Sequence, residues 1–453
     1  MKHLHYKNQM KFFTVIIFLF SSYLSFSQNL DSAKVNARQI IDLFIAQKYA
    51  EVDSKCDAEM KRKAGVSLLE DIWVGLQMKY DSLAEIGETR TSFKNEFMKT
   101  ITVLKFGVKK IGLQITLNKQ YQISGIFIVP PEEHYQPAEY LDAEQFTERK
   151  IEFGKAEFKN EGVLSLPRVN NKKVPVIIIV HGSGAIDKDL SIGPNKIYKD
   201  LAWGIAAKGV AVFRYDKRTF LYKDKILANN KSGKENYDVR NEYFEDLKDA
   251  ISALSQRSEI DASKIFIIGH SEGGYLIPLI NKNFKQVAGF ISMAGTLREI
   301  PELALEQMDY LAPKESLDEK TLMKLNIEKQ KVSNSLSKNI NKKMSDDSVF
   351  AFPVNYWLYL KSYDTKSMAK KIEKPIYVLQ GERDYQVLMK DYHIWVEVMK
   401  DKPNVNYKSY PQLNHLFLEG TGKSTPAEYT VPTNVPEYVI DDIANWVKVQ
   451  SKK

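Results

Sequence analysis

Gly269-His270-Ser271-Glu272-Gly273-Gly274 satisfies the pattern G-x-S-x-G. The apolar run Ile265-Phe266-Ile267-Ile268 precedes it, and a helical stretch, Tyr275 to Asn281, follows. A sharp strand-to-helix turn presents a serine on strained backbone, and the flanking glycines let the neighbouring chain approach closely. The N-terminus of the following helix favours negative charge that develops there. Ser271 therefore reads as a nucleophile for an acyl carbonyl. A serine hydroxyl is weak in that role and needs a base within hydrogen-bond reach.

Five histidines lie beyond residue 27: His134, His181, His270, His393 and His415. When such an elbow tops a parallel sheet, the chain order is serine, acid, histidine. Only His393 and His415 follow Ser271 with room for an acid between. His393 sits in a helical stretch, Leu388–Met399, whereas His415 ends the loop Pro411-Gln412-Leu413-Asn414 after an expected strand. His415 is the expected base. The run Tyr377-Val378-Leu379-Gln380 ends in Gly381-Glu382-Arg383-Asp384, which puts a carboxylate just past a strand. Asp384 is the expected acid, holding the imidazole in the right tautomer and stabilising the imidazolium. Glu382 is set aside as a partner for Arg383. The developing oxyanion needs two N–H donors, one from the residue after the nucleophile and one from the loop after an earlier strand. These are Glu272 and Ser183, the latter in His181-Gly182-Ser183-Gly184, where His181 is read as a brace for the loop. That loop lacks the following lysine–threonine pair of a phosphate loop. Histidine, cysteine and acidic residues show no metal-ligand spacing, so neither a metal nor a cofactor is expected.

These residues need a scaffold, and the chain's 453 residues are too many for one ordinary domain. Val174–Val180 is a continuous apolar run of the kind buried on both faces of a parallel sheet. Further strands are expected at Glu152–Phe158, Gly162–Leu166, Val210–Tyr215, Lys264–Ile268, Val287–Ser292, Ile376–Gln380 and Asn406–Tyr410. Helical spacing of Phe244, Leu247, Ile251 and Leu254, and of Val439, Ile440, Ile443 and Val447, alternates with them. The alternation predicts an α/β, doubly wound, mostly parallel sheet over 146–453. A strandless, lysine-rich interval at about 295–372 predicts an inserted helical cap; it carries Leu322, Leu325, Val332, Leu336 and Ile340 near one face and ends in Phe352, Tyr356, Trp357 and Tyr359. Residues 30–129 form a separate α+β region. Ala33, Ala37, Ile40, Ile41 and Phe44 repeat at helical steps, and a second helix carries Trp73 as a core residue. Alternating strands follow there, among them Thr100–Phe106, Leu113–Leu117 and Gln122–Val129. A proline-broken linker over 130–145 joins the two parts.

Most of residues 146–450 resembles a group of bacterial carboxylesterases in the α/β-hydrolase superfamily. The resemblance rests on His181-Gly182-Ser183-Gly184, Phe213-Arg214-Tyr215-Asp216-Lys217-Arg218, Gly269–Gly274, Gly381-Glu382-Arg383-Asp384-Tyr385-Gln386-Val387 and Asn414-His415. It implies hydrolysis of small acyl esters, a brace-like role for Arg214–Arg218 and a leading domain, which itself resembles the cone-shaped nuclear-transport-factor type. A serine peptidase of the same fold, an acyltransferase and a non-catalytic binding protein are the other readings.

Lys7 and Lys11 lead into Phe12–Phe20, and the stretch ends at Ser25-Phe26-Ser27, which has the charge, apolar core and small-x-small pattern of a secretory signal. The apolar run falls short of the roughly 20 residues that span a bilayer. Residues 1–27 are thus expected to be removed, leaving a secreted or periplasmic protein without stable membrane insertion. Cys56 is the only cysteine, so no disulfide framework forms. The net charge is +8, and loss of Lys2, Lys7 and Lys11 leaves +5. Acids interleave the remaining basic residues, with no stripe that would serve nucleic acid.

Overall fold

The computed structural model describes residues 32–452 apart from 95, 108, 130, 132–134, 169–171, 234–236, 313–318 and 337–353. The segment read as a signal, and with it Ile340, Phe352 and His134, lies outside the described residues. The chain divides into two compact units between Glu133 and His134.

The first unit begins with helix α1 (residues 32–45), whose inner face is the expected set Ala33, Ala37, Ile40, Ile41 and Phe44. Short helices α2 (Tyr49–Ser54) and α3 (Ala58–Lys63) lead to α4 (Gly65–Tyr80). Four strands then form an antiparallel sheet in chain order: β1 (Leu83–Lys94), β2 (Phe97–Phe106), β3 (Lys109–Leu117) and β4 (Ile123–Val129). Alternation puts Met98, Thr100, Thr102, Leu104 and Phe106 of β2 on the buried face. Trp73 is a core residue, stacked on Phe44 at 5.2 Å and meeting the edge of Phe106 at 5.6 Å. Strand β1 escaped the pattern reading because it is an edge strand whose one buried described residue is Thr89.

The second unit is built on an eight-stranded mixed sheet. Its strands are β5 (Phe146–Phe153), β6 (Asn160–Pro167), β7 (Val174–Val180), β10 (Ala211–Tyr215), β11 (Ile260–His270), β12 (Gly289–Met293), β13 (Ile376–Gly381) and β14 (Val405–Tyr410), with a two-stranded ribbon, β8 (Ser191–Ile192) and β9 (Asn195–Lys196), set apart. Their order is β14-β13-β12-β11-β7-β10-β6-β5. The pairs from β14 to β10 are parallel; β6 and β5 add antiparallel. This is the α/β-hydrolase sheet. On β7, Val176, Ile178 and Val180 pack into one core layer while Ile177 and Ile179 pack into the other, which is why the sequence there has no polar alternation. Helices α5 (Ile197–Ala207) and α15 (Glu437–Gln450) cover the second layer. The first is covered by α7 (Glu245–Ser255) and by α9 (Ile277–Asn283). Among the described residues of this unit the remaining α-helices are α6 (Arg218–Lys231), α8 (Glu272–Tyr275), four in the cap and α14 (Met389–Met399).

Two expectations need correction. The leading strand runs Phe146–Phe153, not Glu152–Phe158. Gly154 ends it at φ +87, and a Cβ there would lie 2.5 Å from the Phe158 carbonyl oxygen, so the chain must turn into a short helical turn, Ala156–Phe158. The segment read as a linker also divides. From Tyr135 onward it packs on the larger unit, with the Tyr135 hydroxyl on Asp200 at 2.7 Å and the Tyr140 hydroxyl on the Val435 carbonyl at 2.7 Å.

Between β12 and β13 the described residues hold no strand. They form the cap: α10 (Ile300–Leu311), α11 (Glu319–Leu336), α12 (Val354–Lys361) and α13 (Thr365–Ala369). Arg298 pins its start, donating to Asp391 of α14 at 2.8 Å and to Glu306 of α10 at 2.9 Å. Val332, Tyr356, Trp357, Leu360 and Ala369 are among its buried contacts with the core.

Candidate active site

Ligand crevices in open parallel sheets lie beyond the carboxyl ends of the strands. There, the loops after β7, β11, β13 and β14 bring together Ser183, Ser271, Glu272, Asp384 and His415. Ser271 stands between β11 and α8 at φ 54, ψ −116, a strained conformation for a residue with a side chain. Its N–H donates to the Met293 carbonyl at 2.9 Å. The glycines make this turn sterically feasible. A Cβ on Gly269 would lie 2.2 Å from the Gly273 carbonyl oxygen, and one on Gly273 would lie 2.4 Å from that of Val180.

His415 Nδ1 is 2.7 Å from Asp384 Oδ2. A carboxylate accepts, so Nδ1 carries the proton and Nε2 is left with its lone pair. Asp384, 3% exposed, also accepts from the Gln380 side-chain amide and from the N–H groups of Gln386 and Val387. Four donors thus fix both oxygens. The His415 loop is equally held. Asn414 Oδ1 accepts from the N–H groups of Leu416 and Leu418, and a Cβ on Gly381 would lie 2.4 Å from the Leu413 carbonyl oxygen.

Arg383, offered as an alternative partner for Glu382, pairs elsewhere. Its guanidinium reaches Glu428 and the carbonyls of Gly422, Thr421 and Gln412, lacing the acid loop to the base loop. Glu382 instead accepts from the Ser409 hydroxyl at 2.7 Å. The partner Glu428 lies 45 residues downstream in a short helical turn, and no local spacing announces it.

His270, inside the elbow, is buried and held neutral, its pKa pushed down to about 3 by desolvation and by the neighbouring His415. Its Nε2 is 3.1 Å from the His415 carbonyl, which can only accept, so Nδ1 accepts from the Tyr198 hydroxyl at 3.1 Å. Tyr198 oxygen in turn accepts from the Gly182 N–H at 3.3 Å. The loops that carry Ser271, His415 and Gly182 are therefore joined by one directed chain. His181 is a brace, its Nε2 2.6 Å from the Tyr215 carbonyl and its pKa near 3 through burial.

Glu272 opens α8, so its N–H has no carbonyl a turn earlier within the helix. Its carboxylate, 2% exposed, accepts from Ser183 Oγ at 2.7 Å, Tyr243 at 3.0 Å and Tyr356 at 2.5 Å. Tyr243 was not singled out from sequence and Tyr356 was named only in the aromatic cluster of the cap; the first lies within a π turn, Arg240–Phe244, and the second in α12. Arg214 and Arg218 brace as the resemblance implied, Arg214 on Glu148 and Asp189 and Arg218 on Glu245 and Asp246.

Two cavities open on Ser271. One, about 260 Å³, lies beneath the cap and is mostly apolar, with Ile300, Leu303, Ala304, Trp357 and Val387 in its wall beside Ser183 and Glu272. The other, about 560 Å³, is shared by Ser183, Ser271 and His415 and is rimmed by Leu190, Phe220 and Tyr385.

Residues 172–421 match the family described as serine aminopeptidase, S33. Residues 37–126 match a family described only as a protein of unknown function (DUF3887). The chain is 31% identical over 404 residues to Esterase EstD of Thermotoga maritima, covering 89% of this chain and 92% of that protein. Among solved structures, Est1E from Butyrivibrio proteoclasticus is 16% identical, covering 67% of this chain and 99% of its own, with a TM-score of 0.43. The acylaminoacyl peptidase of Pyrococcus horikoshii is also 16% identical, covering 74% and 52%, with a TM-score of 0.42.

Proposed function

Since the chain belongs to the serine aminopeptidase S33 family of α/β-hydrolases, we propose that it hydrolyses carboxylic esters through an acyl-enzyme on Ser271. The observation that carries this reading is the 2.7 Å bond from His415 Nδ1 to Asp384, which leaves Nε2 as a base in the cavity that also holds Ser271. In this reading Ser271 attacks the acyl carbonyl while His415 takes its proton. The oxyanion is met by the N–H groups of Ser183 and Glu272. His415 then protonates the leaving alcohol, and water repeats the sequence to release the acid.

An ester rather than a peptide substrate is supported by Glu272. A peptidase that grips an amino terminus needs a carboxylate free for the ammonium, and Glu272 already accepts from three hydroxyls. It is supported too by the 31% identity to an esterase over most of both chains. The carboxylate that does line the wider cavity is Asp187, with one oxygen on the Ser191 N–H. A panel of p-nitrophenyl esters of graded length, run beside aminoacyl-anilides, tests the assignment; faster turnover of the anilides would overturn it.

The narrower cavity suits the acyl group. An apolar cavity of about 150 Å³ holds a benzene ring, so 260 Å³ admits an acyl chain of about six to eight carbons or a ring with a short tether. Leu303→Trp should fill that space and move the preferred p-nitrophenyl ester to acetate or propionate. An unchanged chain-length profile would place the acyl group elsewhere.

We also propose export, on the strength of residues 1–27. Mass spectrometry of protein from the producing cell should find Gln28 at the mature N-terminus, and an intact Met1 on a membrane-bound form would refute the proposal.

A further inference from the structure

Lys217 is 1% exposed and lines neither cavity at Ser271. A buried ammonium is costly unless each of its three protons finds an acceptor. Here each does: the Gly182 carbonyl at 2.9 Å, the Tyr243 hydroxyl at 2.8 Å and Glu242 at 3.0 Å. Glu242, itself buried, is held in turn by the hydroxyls of Thr219 and Tyr237. The Tyr243 oxygen accepts from Lys217, and its own proton is shared between Glu272 Oε2 and the Gly182 carbonyl, each at 3.0 Å, so Lys217 holds that carbonyl both directly and through Tyr243. An apolar side chain of similar length would fill this space without the desolvation penalty. The cation therefore needs a reason, and the Gly182 carbonyl supplies one.

That carbonyl and the Ser183 N–H belong to one peptide unit. The Gly182–Ser183 peptide is trans, so the two groups point in opposite directions across the unit. Fixing the oxygen on the Lys217 side turns the N–H to the other side. Gly182 itself lies against Ser271, since a Cβ on it would be 3.2 Å from Ser271 Cβ. The Gly182 N–H is fixed too, on the Tyr198 hydroxyl. We infer that Lys217 is a positioning residue for the oxyanion site: it locks the Gly182–Ser183 peptide with the Ser183 N–H toward Ser271 and, by drawing charge onto the carbonyl oxygen, makes that N–H a stronger donor. This rests on the reading of Ser183 as an oxyanion donor.

The test compares wild type, Lys217→Met, Lys217→Arg and the double variant Lys217→Met/Glu242→Gln. The double variant leaves no unpaired buried carboxylate and keeps the test readable if the single one will not fold. Rates are counted per active site titrated with a fluorophosphonate. Loss of one oxyanion donor costs about 10²- to 10³-fold in kcat, so kcat for a p-nitrophenyl ester should fall about 10²-fold with KM within about threefold. Affinity for a trifluoromethyl ketone, whose hemiketal oxyanion occupies the same site, should fall by a like factor, and Lys217→Arg should restore part of both. A merely structural lysine would lower Tm without moving kcat or ketone affinity per titrated site, and that result would overturn the inference. If wild type neither turns over esters nor binds the ketone, the parent reading fails instead.

Discussion

Ser271→Ala should lower ester turnover by about 10⁶-fold, the scale seen when the nucleophile of a serine–histidine–acid unit is removed. The fold should survive, because the Ser271 N–H bond to Met293 and the glycine contacts of the elbow involve no hydroxyl. Alanine keeps the Cβ and is no worse placed at φ 54 than serine, so the strain of the turn is unchanged. Thermal unfolding and a fluorophosphonate probe check both halves: an unchanged Tm with no labelling is the expected pair. A Ser271→Ala protein that still turns over esters at the wild-type rate would mean that another residue is the nucleophile.

Asp384→Asn should cost about 10⁴-fold in kcat. The amide keeps an oxygen for the Gln386 and Val387 N–H groups, so the loop after β13 stays in place. What faces His415 Nδ1 is then an NH₂ donor instead of an acceptor. The imidazole answers by moving its proton to Nε2, and a nitrogen that already holds a proton cannot take one from serine. Combining Asp384→Asn with Ser271→Ala should be little worse than Ser271→Ala alone, because the residues act as one unit. Stopped-flow burst kinetics read the effect directly. Independent, multiplicative losses would show that Asp384 acts outside the unit.

Much of this was legible in the sequence because the relevant physics is local. The β7 run announces a strand buried on both faces, the glycines at 269, 273 and 274 announce a tight elbow, and Asp384 and His415 each stand within a few residues of a strand end. What escaped has its cause elsewhere in the chain. The alternative pair of Arg383 with Glu382 gave way to Glu428 because the guanidinium is drawn to three carbonyls of the base loop, which only the folded chain brings near. Tyr243, Tyr356 and Lys217 converge on Glu272 and Gly182 from a π turn, the cap and the loop after β10. Such buried polar networks have no period and no fixed spacing. The strand misplaced at Glu152–Phe158 failed for a simpler reason: apolar residues recur past Gly154 at Ala156 and Phe158, but the positive φ at Gly154 ends the strand and turns the chain.

The bond from Tyr356 to Glu272 ties the cap to the first residue of the elbow helix. Helix α12 can swing outward only by stripping a buried carboxylate of a hydroxyl, a penalty of about 1–3 kcal/mol. It therefore serves as a wall of the narrower cavity, while a wider approach to Ser271 lies on the other side, past Leu190, Phe220 and Tyr385.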